Sequence, residues 1–231
     1  MNEQLPDTSS RVARTRLRIR FTKAGDLRWI GHKDLSRLWE RLLRRAGLRL
    51  AFSEGFHPKP KISFPSALAL GIEALDEIVE LEIEGKFEID QVRQAIVQQL
   101  PEGMELTAIE ALPQGRNKGK VVGATYRIVL PVEKVDAVRE KLSDLLRRAQ
   151  LVCQRQNKSI VCPVGDDGLR AAIEDGALVF TLPHLAQGSI RPSEFLEWLG
   201  LDDLLPAGAL LQRTEVHLQA APDRHEEETR S

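Results

Sequence analysis

The sequence predicts an α+β protein built as two tandem ferredoxin-like (βαββαβ) domains with antiparallel sheets. Three observations lead there. Two-residue and helical hydrophobic spacings alternate in the same order twice along the chain. A fragment recurs at the end of the first helix of each series, LLRRAGL at 42–48 and LLRRAQL at 145–151. A polar, basic, glycine-containing stretch separates the two series. The predicted boundaries are a disordered tail at 1–13, a basic first domain at 14–112, a linker at 113–122, a second domain at 123–219 and a disordered acidic tail at 220–231. With 231 residues, each domain has about 100 and can bury a core.

In the first series, Leu17, Ile19 and Phe21 alternate with Arg16, Arg18 and Arg20, the pattern of a half-buried strand. Leu35, Leu38, Trp39, Leu42 and Ala46 fall at helical spacing, predicting a helix over 33–46 that ends at Gly47. A short strand at 48–53 leads into a loop rich in Pro and Gly. EIVELEIE (77–84) alternates again, and a helix at 88–100 and a strand at 104–110 complete the unit. In the second series the strands are 125–131, 151–156, 177–183 and 210–218. Its helices are 132–149 and 191–201, the latter with Pro in its first turn.

Charge is distributed unevenly. Residues 1–61 hold fifteen Lys/Arg against six Asp/Glu, and the remainder eighteen against twenty-eight, so a +9 segment hides inside a chain of net charge −1. Such asymmetry points to an anionic partner, although a charge run is also what a solvated face looks like. Arg16, Arg18 and Arg20 would project from an open sheet face, the surface that RNA-binding sheets use. The strand at 77–84 should lie beside them, however, and its Glu80, Glu82 and Glu84 can form cross-strand ion pairs. Aromatic residues for base stacking are absent from that face. An ion-pair ladder therefore accounts for these arginines.

The helix edge is different. Lys33, Arg37, Arg41 and Arg44 or Arg45 form a basic stripe opposite the apolar one, interrupted by Glu40. The predicted topology also brings KAGDLRWIGHKD (23–34) to the same sheet edge as SEGFHPKPK (53–61). That gathers Lys23, Arg28, His32, Lys33, His57, Lys59 and Lys61 near a helix start, a favourable place for phosphate or carboxylate. With Arg37 and Arg41 these are the candidate anion- or RNA-binding residues. Each has a structural alternative: Gly25 and Gly55 serve turns, Asp34 favours a helix start, His32 can cap a carbonyl and His57 can pack on Phe56.

Candidates for catalysis are His32, Asp34 and His57. They make a two-His, one-carboxylate set on paper, but the surrounding cations oppose a divalent metal, and no metal is predicted. Ser36 and Ser53 lack any nucleophile motif. Cys153 and Cys162 have no zinc-ligand spacing. No cofactor is expected. No run of eighteen apolar residues occurs and MNEQLPDTSSRVAR has no apolar signal core, so the expectation is a cytoplasmic protein with no membrane segment.

The segment from Phe21 to Glu77, with its His32–Asp34 and Gly55–Lys61 motifs, resembles the radical-SAM-linked proteins, a domain of unknown function. Members stand alone or are fused to the C-terminal side of cobalamin-binding radical SAM proteins. The resemblance extends over about 14–218, including Gly188-Ser189-Ile190-Arg191-Pro192 and Arg213-Thr214-Glu215. Many members carry Ser at the position of Gly31, so no shared role needs a hydroxyl there. The resemblance implies a radical SAM protein as partner. This chain lacks a CxxxCxxC motif, so the cluster would belong to the other protein. The expectation is a non-catalytic RNA- or anion-binding accessory module. A phosphate-directed enzyme using His32 and His57, or a protein-interaction adaptor, are the alternatives.

Overall fold

A computed structural model describes residues 13–66, 68–113, 119–155 and 158–219. The predicted tails and the centre of the predicted linker lie outside these residues, apart from Ala13. The fold is α+β, with a mostly antiparallel sheet and four α-helices. Its strands are β1 (Arg14–Lys23), β2 (Ile62–Ser63), β3 (Glu73–Glu84), β4 (Leu106–Leu112), β5 (Val121–Val129), β6 (Gln150–Arg155), β7 (Lys158–Pro163), β8 (Arg170–Glu174), β9 (Ala177–Pro183) and β10 (Leu211–Leu218). The helices are α1 (His32–Arg45), α2 (Ile89–Val97), α3 (Val135–Leu146) and α4 (Pro192–Trp198).

Eight strands form one sheet in the order β4-β1-β3-β10-β5-β9-β8, with β2 attached to β3. Two cores lie on it. Leu17, Ile19 and Phe21 of β1 meet Leu35, Trp39, Leu42 and Leu43 of α1 and Val92 and Ile96 of α2. Tyr126, Ile128, Leu178 and Phe180 meet Val138 and Leu142 of α3 and Phe195 of α4. Both arise from the period-2 and period-3.6 patterns of the sequence.

Three features differ from expectation. The strand at 48–53 is reduced to isolated bridges, Leu50 with Ile83 and Phe52 with Pro60. The chain leaves the sheet at Phe52 and returns at Lys61, whose N–H reaches the Ala51 carbonyl. Pro58 and Pro60 lack the N–H that a regular ladder requires. Residues 151–156 do not join the main sheet, because β6 pairs with β7 in a separate hairpin. The sheet position beside β9 goes to β8, whose RAAIE carries a weak strand signal because alanine has low β-propensity. Finally, the two halves share one sheet, joined by parallel pairing of Gln212 with Glu73 and Arg213 with Ala74.

Side-chain charge seals that junction. Arg213 is fully buried; its Nη2 lies 2.8 Å from Glu77 Oε1, off the line of a hydrogen bond. Its other nitrogens donate to the Asp76 carbonyl at 3.3 Å and to Ser66 Oγ at 3.0 Å. Burial pushes the Glu77 carboxyl up, opposed by the Arg213 charge. Burial likewise pushes the Lys23 ammonium down, opposed by Glu77. Where β3 and β10 diverge, the Asp76 carboxylate replaces the missing ladder, accepting the Val216 N–H at 2.7 Å and pairing with Arg20.

The β6–β7 hairpin is held by Arg155, whose guanidinium makes two hydrogen bonds to Glu194 of α4, at 2.8 and 2.7 Å. The Arg155 hydrogen bonds hold the Glu194 carboxyl at about 2, against an ordinary 4.5.

Two outcomes are expected. The Glu194 contribution to stability is present above its unfolded-state pKa and is lost as pH falls from 4.5 towards about 2. Glu194→Gln should therefore unfold at lower urea than wild type at pH 7, with the gap narrowing below pH 4.5 and closing only near pH 2. Arg213→Leu, which strands a buried carboxylate, should cost about 3–5 kcal/mol. Arg213→Leu with Glu77→Leu should cost less than the two single changes added, read from urea midpoints as a double-mutant cycle.

Candidate nucleic-acid interface

The arginines of β1 form cross-strand ion pairs, but of the predicted partners Glu80, Glu82 and Glu84 only Glu80 pairs with them among the described residues; Glu82 takes Lys61, and Arg20 pairs with Asp76. Register places Arg18 opposite Glu80 of β3 and Glu110 of β4. Arg16 Nη2 is 3.1 Å from Glu80 Oε2, and Arg18 bonds Glu80 Oε1 at 2.8 Å and Glu110 Oε1 at 2.9 Å. Burial alone would raise the Glu80 carboxyl. Hydrogen bonds from Arg18 and the Gly119 N–H, with the Arg18 and Arg16 charges, hold it below the ordinary range instead.

This face is also closer packed than an open RNA-binding sheet. A Cβ on Gly119 would lie 2.8 Å from both Arg18 Nη2 and Glu80 Oε1, so a side chain there would displace the ends of this ion pair. Val121 and Val216 of the second half pack on Ile78. The face is a seam between halves.

Two members of the predicted cation cluster fall outside it. Lys23 is buried beside Glu77 and Arg213, because β1 carries it to the junction of the halves. Lys61 is spoken for by Glu82, 2.7 Å from its Nζ. Arg28 is exposed only in part: it donates to the Gly25 carbonyl at 3.0 Å and lies over the Trp29 ring, 5.3 Å from its centroid. His32, the first residue of α1, meets the edge of Phe64 at 5.3 Å between ring centroids. Asp34 is exposed and 3.5 Å from Arg37. Among the described residues no group of three His, Cys, Asp or Glu side chains could hold a metal ion. The two-His, one-carboxylate set of His32, Asp34 and His57 is thus not assembled.

What remains is a basic surface with an aromatic tip. Lys33, Arg37, Arg41 and Arg44 are exposed along α1, on the side opposite buried Leu35, Trp39, Leu42 and Leu43. Lys33, Arg41, Arg44 and Lys59 have no acidic partner among the described residues. The loop 52–60 projects from the sheet edge as a small hairpin closed by Ser53 N–H to Lys59 O at 2.8 Å and Lys59 N–H to Ser53 Oγ at 2.9 Å. Gly55 at its tip has φ 116°, which favours glycine.

Beyond the predicted His57 and Lys59, this hairpin carries Phe56, which is fully exposed, and half-exposed Phe52. Sequence reasoning missed the two phenylalanines. Their signal was available in FSEGFHP, where apolar rings stand among Gly, Pro and Ser with no helical or strand period to bury them. Leu50, Ile62 and Phe64, which flank the hairpin, pack on the same core as α1, while Ser53 and Lys59 line a concavity with Arg16, Glu80 and Glu82.

No helix among the described residues is long and apolar enough to cross a membrane. No curated protein matches the chain. Among solved structures it is similar to an unknown protein from Galdieria sulphuraria, at 9% identity over 90% of this chain and 100% of that one, with a TM-score of 0.28. It is also similar to a "putative glycine cleavage system transcriptional repressor", at 10% identity over 90% of this chain and 99% of that one, with a TM-score of 0.24. Scores this low carry no structural argument. Residues 16–176, which span β1 to β8 and include the whole basic surface, match one family along their length. The chain belongs to that family, the uncharacterized protein conserved in bacteria (DUF2344).

Proposed function

We propose that this protein is a non-catalytic accessory module that holds single-stranded RNA for a separate radical SAM enzyme. The observations that carry the RNA reading are an exposed aromatic tip, Phe56 followed by His57, and the exposed Lys33, Arg41, Arg44 and Lys59, none of which makes an ion pair among the described residues. Bases stack on rings whatever their sequence, and Lys and Arg track the phosphates between them. The radical SAM partner rests on the resemblance of residues 21–77 to the radical-SAM-linked proteins. The working compartment in this reading is the cytoplasm.

The same reading extends to the architecture. We infer that 14–112 and 123–219 are two βαββαβ domains. The strand orders support this: β4-β1-β3 with β2 attached, and β10-β5-β9-β8, with β6–β7 as an insertion into the second.

Replacing Lys33, Arg41 and Lys59 together by Ala should leave the urea midpoint nearly unchanged, because all three are exposed. It should weaken binding of a single-stranded RNA and lower the slope of log affinity against log salt by about 2, near 0.7 for each phosphate left without its cation. Phe56→Ala should cost about 1–3 kcal/mol of binding with the salt slope intact. Affinity and slope unchanged in both variants would remove this surface as the RNA contact. RNA turnover by the protein alone, lost in His32→Asn or His57→Asn, would favour the enzyme reading instead.

A further inference from the structure

A second concavity lies across the junction of the two halves, away from the basic helix. Its volume is about 440 Å³, within the span of about 300–1,000 Å³ common for small-molecule sites. The first half contributes Ser66, Leu68 to Leu70 and Ile72, and the second contributes residues of β5, Leu182 to His184, Ser189 to Ser193, Leu205 and Leu211. Its walls are largely aliphatic, including Leu68, Leu70, Ile72, Leu182 and Ile190. The few polar groups are placed at two levels.

At one level are the hydroxyls of Ser66, which accepts from the buried Arg213 guanidinium at 3.0 Å, and of Tyr126. Arginine has only donors, so the Ser66 hydroxyl accepts from it and keeps its own proton to donate. At the other level are Ser189, bonded to His184 Nδ1 at 3.3 Å, and exposed Arg191. The neighbouring carboxylate, Glu194, is occupied by Arg155 and by the Arg191 backbone N–H at 2.7 Å. The Arg191 guanidinium has no acidic partner among the described residues, and no Asp or Glu lines the cavity.

An apolar cavity with no carboxylate in its lining, and with Ser189 and an Arg191 that makes no ion pair among the described residues in its wall, selects for one ligand chemistry. We propose that it binds a small amphipathic acid, its apolar body between the two halves and its anionic group on Arg191 and Ser189. The inner hydroxyls of Ser66 and Tyr126 then donate to an acceptor oxygen at the far end. Because both halves supply walls, occupancy would tie them together.

The probe is 1-anilinonaphthalene-8-sulfonate, added to the full chain and followed by fluorescence. Saturable binding with one site per chain is expected, displaced by decanoate and about tenfold or more less readily by decanol, as loss of a charged hydrogen bond implies. Arg191→Ala should abolish the preference for decanoate over decanol. Leu70→Glu, at an exposed wall position, should weaken both the dye and decanoate about tenfold. Both residues are exposed, and circular dichroism confirms that each variant is folded. Non-saturable dye binding, equal displacement by acid and alcohol in wild type, or affinities unchanged in both folded variants would overturn the proposal.

Discussion

The buried ion pair between Arg213 and Glu77 is the constraint around which the two halves are arranged. Neither charge is tolerable alone in an apolar interior, and each comes from a different half of the chain. Satisfying both forces β10 against the start of β3, which is where the sheet becomes continuous. Lys23 is drawn into the same cluster and Asp76 extends it to the Val216 backbone and Arg20. Apolar contact alone could slide along a sheet edge. A buried pair with fixed hydrogen bonds cannot, so the relative register of the halves is set by charge.

That junction divides the basic first third of the chain into two populations. Arg16, Arg18, Arg20 and Lys23 are consumed internally by Glu80, Glu110, Asp76 and Glu77. Lys33, Arg41, Arg44 and Lys59 stay outside and make no ion pair among the described residues. The +9 charge of residues 1–61 therefore overstates the field available to a partner, yet the part that survives is concentrated on one helix face and one hairpin. Aromatic tip and unpaired cations together suit an extended polyanion better than a compact phosphate, since they are spread over a surface.

The cavity is a by-product of the same junction. Leu68 and Ile72 leave the first half to pack with the second core, and the space beside them is not filled. Ser66, which lines it, accepts a hydrogen bond from Arg213, so the residue that joins the halves also shapes one wall of the concavity. The exposed cations of α1 and the space at the junction are distinct features of one architecture.

The sequence by itself determined the elements of highest contrast. Leu17, Ile19 and Phe21 against three arginines could only be a half-buried strand, and the apolar stripe of α1 placed its cations outward, because both periods are local properties of the backbone. The ion-pair ladder was legible for the same reason, since cross-strand partners follow from alternation once the strands are neighbours. Tertiary structure decided the fate of residues whose environment is made by distant chain. Lys23 sits on a strand whose other polar residues face ion-pair partners, and only the arrival of Arg213 and Glu77 buries it. The exchange of sheet position between 151–156 and β8 was equally hidden, because two short strands compete for one edge and local pattern does not say which wins. The cavity could not be read at all: it is bounded by segments from Ser66 to Leu211 that meet only when both halves have folded and the buried charges have found each other.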